Sequence, residues 1–275
     1  MKYILETENL EKKYGKFKAI NNLNMHIEKG SIYGLIGKNG AGKTTLIRVI
    51  CGLQKPTAGN YFIYGVSNRS NQISRCRMRI GAMIEKPSLC LDMTAEDNLK
   101  EQYKIVGIPD YSCLQDILKI VKLDNTGKKK TKDFSLGMKQ RLGIAISLVG
   151  RPDFIILDEP INGLDPEGII EIRELILKLN KEYGITFLIS SHYLDELSKI
   201  ATFYGFMDKG KIVKEISKEE LKQNFRTKTQ IIVTNLKECV KYLDEKRIDY
   251  KVITDNKIDI YEKMNVTELV TALTK

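Results

Sequence analysis

The sequence has 275 residues, of which 42% are hydrophobic and 29% charged, and a formal net charge of +10. This balance excludes a disordered chain, and no apolar run approaches the roughly 20 residues of a membrane-spanning helix. The five cysteines form no Cys-x-x-Cys pair and there are only two histidines, so we expect free thiols in a reducing compartment and no zinc site. No secretion signal is predicted, because Met1–Glu6 lacks an apolar core.

Short strands and one helix are predicted in the first third of the chain. The runs there are apolar or alternating and are bounded by Gly, Asn or Lys, which is typical of strands. The predicted strands are Ile4–Leu10, Leu23–Ile27, Ile32–Ile36, Asn60–Tyr64 and Ile80–Ile84. A helix is predicted over Lys43–Cys51, where Leu46, Ile47 and Ile50 have helical spacing.

A long helical stretch precedes an alternation of strands and helices. Residues Thr94–Ser147 are predicted to be mostly helical, and a stripe from Leu114 to Val121 has the spacing of one helix face. The alternating elements that follow are Phe154–Leu157, Pro166–Tyr183, Ile185–Ser190 and Tyr193–Ala201. Strands that alternate with helices predict a parallel sheet with helices on its faces, the α/β class. The helical stretch, about residues 88–150, is predicted to form its own subdomain.

The pattern changes after residue 222, and residues 225–275 are predicted to form a small α+β domain. Short β-rich runs there alternate with an amphipathic helical face, and Asp255-Asn256 is a plausible hairpin turn. The predicted elements are strand Gln230–Thr234, a helix around Leu236–Leu243, strands Tyr250–Thr254 and Lys257–Tyr261, and a last helix at Thr267–Leu273.

Residues 37–44, GKNGAGKT, match the pattern G-x-x-x-x-G-K-[ST] between a predicted strand and a predicted helix. Glycines let successive backbone N–H groups face phosphate oxygens, and the following helix points its positive end at the same anion. Lys43 then reaches the β- and γ-phosphates, and the Thr44 hydroxyl binds Mg²⁺. The predicted ATP-binding residues are Gly37, Asn39, Gly40, Ala41, Gly42, Lys43, Thr44 and Thr45.

The apolar strand Phe154–Leu157 ends in two acids, Asp158 and Glu159, before Pro160. Ligands bind at the carboxyl ends of strands in open α/β sheets. Asp158 is predicted to hold Mg²⁺, and Glu159 is predicted to polarise the attacking water as a general base. The alternative is that both acids only cap the strand. Hydrolysis, as opposed to binding alone, depends on Glu159.

A third pattern lies between these two motifs. Residues 134–140, FSLGMKQ, loosely match the signature of the ABC transporter family and keep Ser135 and Gly137. With the phosphate loop and the acidic strand end, residues 1–222 resemble the ATP-binding subunits of ABC transporters. The resemblance implies a P-loop NTPase sheet with an antiparallel β part and a helical subdomain. The alternative for Ser135 is an ordinary helix N-cap.

Three further positions are similar to this family. Asn162–Asp165 resembles its D-loop, which makes Asp165 an expected nucleotide contact. His192 stands where the switch histidine belongs, and Tyr14 stands where an aromatic ring stacks on adenine. The alternatives are a structural histidine and a packed hairpin aromatic. The order of these motifs along the chain is more informative than any one of them.

The resemblance implies that two ATPase subunits work as a head-to-tail homodimer or heterodimer. In this family the signature loop of one subunit closes on the γ-phosphate held by the other. Ser135 and its helix N-terminus would supply donors and positive potential, and His192 would hold the γ-phosphate. Loss of these contacts on hydrolysis opens the dimer. The dimer is expected to drive separate integral-membrane permease subunits, from the cytoplasmic face of the cell membrane.

One position departs from the family pattern. Glu85 lies in the loop after Ile80–Ile84, where the family usually has glutamine. As an anion near Mg²⁺ it is expected to bind the cation, and the alternative is a solvated loop acid. With the signature variant and residues 93–99, this position resembles the branch that exports bacitracin-type or lantibiotic peptides. That branch also tends to carry a short C-terminal appendage.

Other functions stay open. An importer or an exporter of another substrate would share these ATPase residues, because the membrane subunits choose the substrate. The +10 charge also fits a nucleic-acid- or ribosome-associated ATPase. However, the chain contains one cassette and no room for a long coiled coil, so no nucleic-acid partner is expected. A set of four residues speaks against a non-catalytic sensor: Lys43, Asp158, Glu159 and His192.

Overall fold

Strands and helices alternate along the part of the chain that this computed structural model describes, residues 2–224 and 229–261. The strands are, in chain order, β1 Tyr3–Tyr14, β2 Phe17–Glu28, β3 Ile32–Ile36, β4 Ala58–Ile63, β5 Val66–Ser67, β6 Ile80–Met83, β7 Phe154–Asp158, β8 Thr186–Ser191, β9 Phe203–Asp208, β10 Lys211–Ser217, β11 Thr229–Ile232, β12 Tyr250–Thr254 and β13 Lys257–Ile260. The α-helices are α1 Lys43–Ile50, α2 Ile73–Arg77, α3 Ala95–Ile105, α4 Leu114–Ile120, α5 Leu136–Leu148, α6 Pro166–Tyr183, α7 Leu194–Ser198, α8 Lys218–Asn224 and α9 Leu236–Glu245. The chain divides into two compact units, Met1–Lys218 and Glu219–Lys275.

The central sheet of the first unit has the strand order β10-β9-β3-β8-β7-β6. Neighbouring strands from β9 to β6 are parallel, whereas β10 pairs antiparallel with β9. Strands β3, β7 and β8 are buried along their full length, as parallel strands covered on both faces are. The register places Ile36 beside Ser191 and Asp158 beside Ser190. The phosphate loop, the two acids and His192 therefore leave the sheet at the same edge.

Strands β9 and β10, the last two on one side of the sheet, have no counterpart among the sequence predictions. Strand β9 pairs in parallel with β3, and β10 returns antiparallel along β9. Strand β9 is half-buried to buried over most of its length, whereas β10 alternates irregularly between exposed and half-buried residues and carries three charged residues. A strand with little apolar alternation gives a weak sequence signal. The predicted α/β class with a parallel P-loop NTPase sheet is confirmed.

A separate antiparallel sheet has the order β2-β1-β4-β5. Strands β1 and β2 are 12 residues each, which is longer than the runs that the sequence predicts. Their pairing contains several register shifts, and each shift interrupts the alternation on which the prediction depends. Buried side chains of this sheet, such as Leu10 and Leu23, share one core with Leu46 and Ile47 of α1. The antiparallel sheet therefore packs against the helix that carries the phosphate loop.

Helices α3, α4 and α5 pack on one another. Thr94 and Asp97 form a capping box at the start of α3. The buried amide of Asn98 bonds to both backbone groups of Cys90 and to the Thr131 hydroxyl, which ties α3 to the segment before α5. The prediction of a mostly helical stretch is right for these three helices, and non-helical loops separate them.

The second unit contains a three-stranded antiparallel sheet, β11-β13-β12, and helix α9. Its core consists of the buried side chains of Cys239, Leu243, Ile258 and Ile260. The predicted strands and the helix around residues 236–243 are found, so the predicted α+β class of this region is confirmed. The predicted helix at 267–273 lies outside the described residues.

All five cysteines are free thiols, as the sequence predicts. Burial raises the pKa of Cys51, which follows α1, to about 12, and the Asp158 carboxylate adds to this shift. The thiol of Cys51 therefore stays protonated at neutral pH. Within residues 2–224 and 229–261, none of the helices combines the length and the apolarity that crossing a bilayer requires.

Candidate active site

The phosphate loop, residues 37–44, joins β3 to α1 along a path that requires glycine at two positions. A Cβ on Gly42, whose φ is +110°, would lie 2.4 Å from the carbonyl oxygen of Ala19. A Cβ on Gly37 would lie 2.5 Å from the carbonyl oxygen of Met207. Both distances are shorter than the contacts that real Cβ atoms make, because the backbones of β2 and β9 lie directly against the backbone of the loop. Backbone groups, not side chains, are then available to a ligand.

The other loop residues form its tip and its connection to α1. Asn39 and Gly40 are exposed, and Gly40 has a φ of +80° with open space on its Cβ side. Ala41 is buried, and Thr45 is half-buried in the first turn of α1. The loop thus presents a small, open concave backbone, which suits the approach of a phosphate group.

Lys43 is the first residue of α1, and only 6% of its side chain is exposed. Its Nζ donates to the carbonyl oxygen of Gly37 at 2.6 Å and lies 3.2 Å from Oε1 of Glu159. The first turn of α1 contains no acidic residue, so the positive end of the helix dipole is not neutralised there. The ammonium group and the helix end together give the loop the positive potential that binds a polyphosphate.

Thr44 and Asp158 meet at the end of β7. The Thr44 hydroxyl donates to Oδ2 of Asp158 at 2.8 Å, and Asp158 is 1% exposed. A hydroxyl and a carboxylate oxygen are ligands that Mg²⁺ prefers. In the described part of the chain, no cluster of three or more His, Cys, Asp and Glu side chains could hold an ion. The pair therefore fits a Mg²⁺ whose remaining ligands are nucleotide and water oxygens.

Glu159 connects Lys43 to His192. Its Oε2 lies 2.7 Å from Nδ1 of His192, and its Oε1 contacts the Lys43 ammonium. The backbone of Glu159 is left-handed, with a φ of +51°, which is uncommon for any residue other than glycine. The ring of His192 also packs against that of Tyr193, with 3.9 Å between the ring centroids and a tilt of 43° between the planes. The structure therefore brings the predicted base, switch histidine and phosphate-loop lysine into one contact chain.

The signature and D-loop residues cap two neighbouring helices. The Ser135 side chain caps α5 and accepts from the Met138 N–H at 3.2 Å. Asp165 caps α6 and accepts from the Gly168 N–H at 3.3 Å. A Cβ on Gly137 would lie 3.9 Å from Cα of Gly168, so the two helix N-termini are adjacent. Ser135 and Asp165 are exposed. The first turn of α5 contains no acidic residue, so its positive end is open to an outside anion, whereas α6 begins with the Asp165 carboxylate and Glu167.

Tyr14 and Glu85 make contacts outside this centre. Tyr14 ends β1, its ring is 43% exposed, and its hydroxyl donates to Oε1 of Gln54. Glu85, with a φ of +61°, accepts from Arg48 at 2.7 Å. Arg48 lies in the last turn of α1, one helical turn from Thr44. Tyr14 is therefore partly accessible to a nucleobase, and Arg48 ties the Glu85 carboxylate to α1.

Sequence reasoning missed two residues that contact the predicted site. Ser190 is fully buried and bonds to Asp158 and to the backbone of Glu159. Arg48 is the ion-pair partner of Glu85. A serine at the end of the mostly apolar predicted strand Ile185–Ser190 was a usable signal for the first, because a buried hydroxyl needs partners. No local pattern pointed to Arg48.

Comparisons with known proteins place these features in a family. The family model described as "ABC transporter" matches residues 20–162. The chain is 41% identical over 264 residues to the bacitracin transport ATP-binding protein BcrA of Enterococcus faecalis, an alignment that covers 95% of this chain and 85% of BcrA. It is 46% identical over 213 residues to the lantibiotic transport ATP-binding protein SrtF of Streptococcus pyogenes, covering 77% of this chain and 90% of SrtF.

A solved structure shares the fold. It is a dimeric ATP-binding cassette bound to ADP and Pi, with 25% sequence identity and a TM-score of 0.68, and the match covers 78% of this chain and 98% of that chain. The family match, the relatives and the contact chain around Glu159 agree on one chemistry. This chain belongs to the ABC transporter family, as an ATP-binding subunit that hydrolyses ATP.

Proposed function

We propose that this ATPase powers the export of an antimicrobial peptide, of the lantibiotic or bacitracin type, through a separate integral-membrane permease. The observation that carries the proposal is the similarity to BcrA over 95% of the chain, which takes in the C-terminal unit as well as the cassette. The similarity to SrtF supports the same class of substrate. The alternative is an importer, or an exporter of another compound, because the permease selects the substrate.

In the proposed mechanism, the residues of this chain bind the nucleotide and orient water. The phosphate loop and Lys43 hold the β- and γ-phosphates, and Thr44 and Asp158 hold Mg²⁺. Bound Mg²⁺ supplies charge neutralisation on the phosphates. When γ-phosphate oxygens replace Glu159 as the partner of the Lys43 ammonium, the Glu159 carboxylate is free to accept a proton from water. His192, whose Nδ1 lies 2.7 Å from Glu159, orients that carboxylate and would contact the γ-phosphate.

Glu85 is proposed as a further Mg²⁺ contact. Its carboxylate is 59% exposed, and its ion pair with Arg48 uses Oε1. A carboxylate has two oxygens and about four lone-pair sites, so the ion pair leaves acceptor capacity unused. The second oxygen would contact the cation or its water shell.

The proposed working unit is a head-to-tail dimer of ATPase subunits. The exposed cap Ser135 supports it, because it stands at the N-terminus of α5, whose first turn contains no acid and attracts an anion. The γ-phosphate in the partner's phosphate loop is the anion that this end would meet, and Asp165 caps the adjacent N-terminus of α6. The related cassette with ADP and Pi is described as dimeric. The subunits are proposed to sit on the cytoplasmic face of the membrane, against the permease.

The domain boundaries are also proposals. Residues 1–222 are assigned to the ATP-binding domain, with the helical subdomain at about residues 88–150, and residues 225–275 to the small C-terminal domain. The packing of α3, α4 and α5 on one another supports the subdomain. The separate core around Cys239 and Leu243 supports the C-terminal domain.

Drug protection tests the proposed substrate. The chain and its permease are expressed together in a bacitracin- and nisin-sensitive host, and the minimal inhibitory concentrations are measured. We expect protection from at least one of the two peptides, and its loss in the Glu159→Gln variant. Full ATP turnover without protection from either peptide would refute the substrate class and leave the ATPase assignment intact.

A further inference from the structure

Ser190, the second-last residue of β8, lies between the two acids of the site. It is fully buried. Its Oγ donates to Oδ1 of Asp158 and accepts the backbone N–H of Glu159 at 2.9 Å. A single hydroxyl thus donates a hydrogen bond to the predicted Mg²⁺ ligand, Asp158, and accepts one from the backbone of the predicted general base, Glu159.

The first of these bonds sets the direction of the Asp158 carboxylate. Oδ1 accepts from Ser190, while Oδ2 accepts from Thr44 at 2.8 Å. Because Asp158 is 1% exposed, water cannot substitute for either donor. The two hydroxyl groups therefore hold the carboxylate plane, and with it the direction of the oxygen that would face Mg²⁺.

The second bond holds an unfavourable backbone conformation. The φ of Glu159 is +51°, a left-handed conformation that is unfavourable for a residue with a side chain. The Glu159 N–H is shared between the Ser190 carbonyl oxygen at 3.2 Å and the Ser190 Oγ at 2.9 Å. Because Oγ is the nearer acceptor, it helps to fix the turn that directs the Glu159 side chain toward Lys43 and His192.

We infer that Ser190 is a positioning residue for ATP hydrolysis, whose hydroxyl couples the orientation of the Mg²⁺ ligand Asp158 to the turn that presents Glu159. Its side-chain hydrogen bonds go to Asp158 and Glu159, so its effect on the reaction passes through these two residues. The inference rests on the ATPase activity of the chain and is independent of the transported substrate.

Three variants at one position and one control test the role. Ser190→Ala removes both bonds, Ser190→Cys keeps the side-chain size with a weak donor, and Ser190→Thr keeps the hydroxyl. The control is Thr186→Val on the same strand. Thr186 is also fully buried and its Oγ1 accepts the Gly30 N–H at 2.8 Å, far from the nucleotide site. This control removes a buried hydroxyl bond from β8 without touching either acid.

We expect Ser190→Ala to lower kcat about tenfold or more, the effect of losing a hydrogen bond to a charged group. The Mg²⁺ concentration for half-maximal rate rises, while KM for ATP changes little because the phosphate loop is intact. Ser190→Thr restores most of kcat. Thr186→Val lowers the melting temperature to a similar extent and leaves kcat and the Mg²⁺ midpoint unchanged.

Two readouts do not depend on turnover. Affinity for a fluorescent ATP analogue, measured without Mg²⁺, stays at the wild-type value in Ser190→Ala, whereas its enhancement by Mg²⁺ falls. Hydrogen exchange at the Glu159 amide is faster in Ser190→Ala than in wild type or in Thr186→Val.

If Ser190→Ala does not fold, Ser190→Cys is expected to show the same losses. Wild-type kcat and Mg²⁺ midpoint in the folded variant, or an equal loss in Thr186→Val, would overturn the inference.

Discussion

At the residue scale, the chemistry centres on Glu159. Its carboxylate bridges the Lys43 ammonium and the His192 ring, with contacts of 3.2 Å and 2.7 Å. A carboxylate in that position neutralises the buried lysine until phosphate oxygens replace it. The Glu159 side chain therefore contacts both Lys43 and His192 before nucleotide binds, and its left-handed backbone conformation directs it toward both residues.

The substitution Glu159→Gln is expected to lower kcat by about 10²–10⁴-fold, the usual contribution of a general base. ATP binding persists, because the phosphate loop and the Thr44–Asp158 pair are unchanged. Phosphate release measures the first effect, and ATP-dependent dimerisation in gel filtration measures the second. Turnover close to the wild-type rate would show that another group activates the water.

A second residue-scale prediction concerns Glu85. Glu85→Gln removes an anion near the proposed Mg²⁺, so the Mg²⁺ concentration for half-maximal ATPase rate and the peptide sensitivity of the host should both rise. Stability should change by less than about 1 kcal/mol, because an ion pair this exposed contributes little. Titration of the ATPase rate with Mg²⁺ is the measurement.

The matched control for Glu85 is Arg48→Gln, which breaks the same ion pair and leaves the carboxylate in place. A ligand role predicts that only Glu85→Gln raises the Mg²⁺ midpoint. Equal shifts in both variants would assign the effect to the ion pair alone. No change in Mg²⁺ dependence, turnover or protection for Glu85→Gln would remove Glu85 from the site.

At the element scale, the N-termini of α5 and α6 are neighbours, and a polar side chain caps each of them. The Ser135 hydroxyl satisfies one backbone N–H, while the remaining N–H groups of the first turn of α5 face outward with no acid among them. The polarity of an α-helix, and not the serine side chain alone, makes this surface attractive to a phosphate.

The variants Ser135→Asp and Ser135→Asn separate capping from phosphate recognition. Aspartate and asparagine cap helices about as well as serine, so the melting temperature should hold in both. Only aspartate adds a negative charge where the partner's γ-phosphate is proposed to dock. We expect Ser135→Asp to abolish ATP-dependent dimers and most ATP turnover, and Ser135→Asn to retain a substantial part of both. Equal activity of the two variants would contradict the proposed docking.

At the scale of the whole molecule, each copy holds a phosphate loop at one edge of the sheet and a signature cap on a different element. In the described ranges, no hydrogen bond links the Ser135 or Asp165 side chain to residues 37–45 of the same copy. In the proposed dimer, the signature residues of a second copy would contact the nucleotide that the first copy binds. The proposed dimer follows from this division.

The specific ATPase activity is accordingly expected to rise with protein concentration and to level off where dimers form. Turnover per subunit is measured over a dilution series and compared with the dimer fraction from analytical ultracentrifugation. A control series with Thr186→Val should follow the wild-type curve. Constant activity per subunit down to concentrations at which only monomers exist would contradict a shared catalytic site.

The sequence by itself determined the phosphate loop, the acid pair after β7 and the α/β class. Each depends on contiguous residues or on a local period, as in α6, whose predicted and observed bounds are both Pro166–Tyr183. Such features are set by residue type and spacing. The sequence also pointed to Ser135 and Asp165, through the resemblance of their segments to the signature and D-loop of the family.

Only the tertiary structure decided which strands became neighbours and which side chains came into contact as a result. The addition of β9 and β10 to the sheet, the bond of Ser190 to Asp158 and the pairing of Arg48 with Glu85 all join residues far apart in the chain. The physical reason is that side-chain pairing depends on sheet order and register, which a local pattern does not encode.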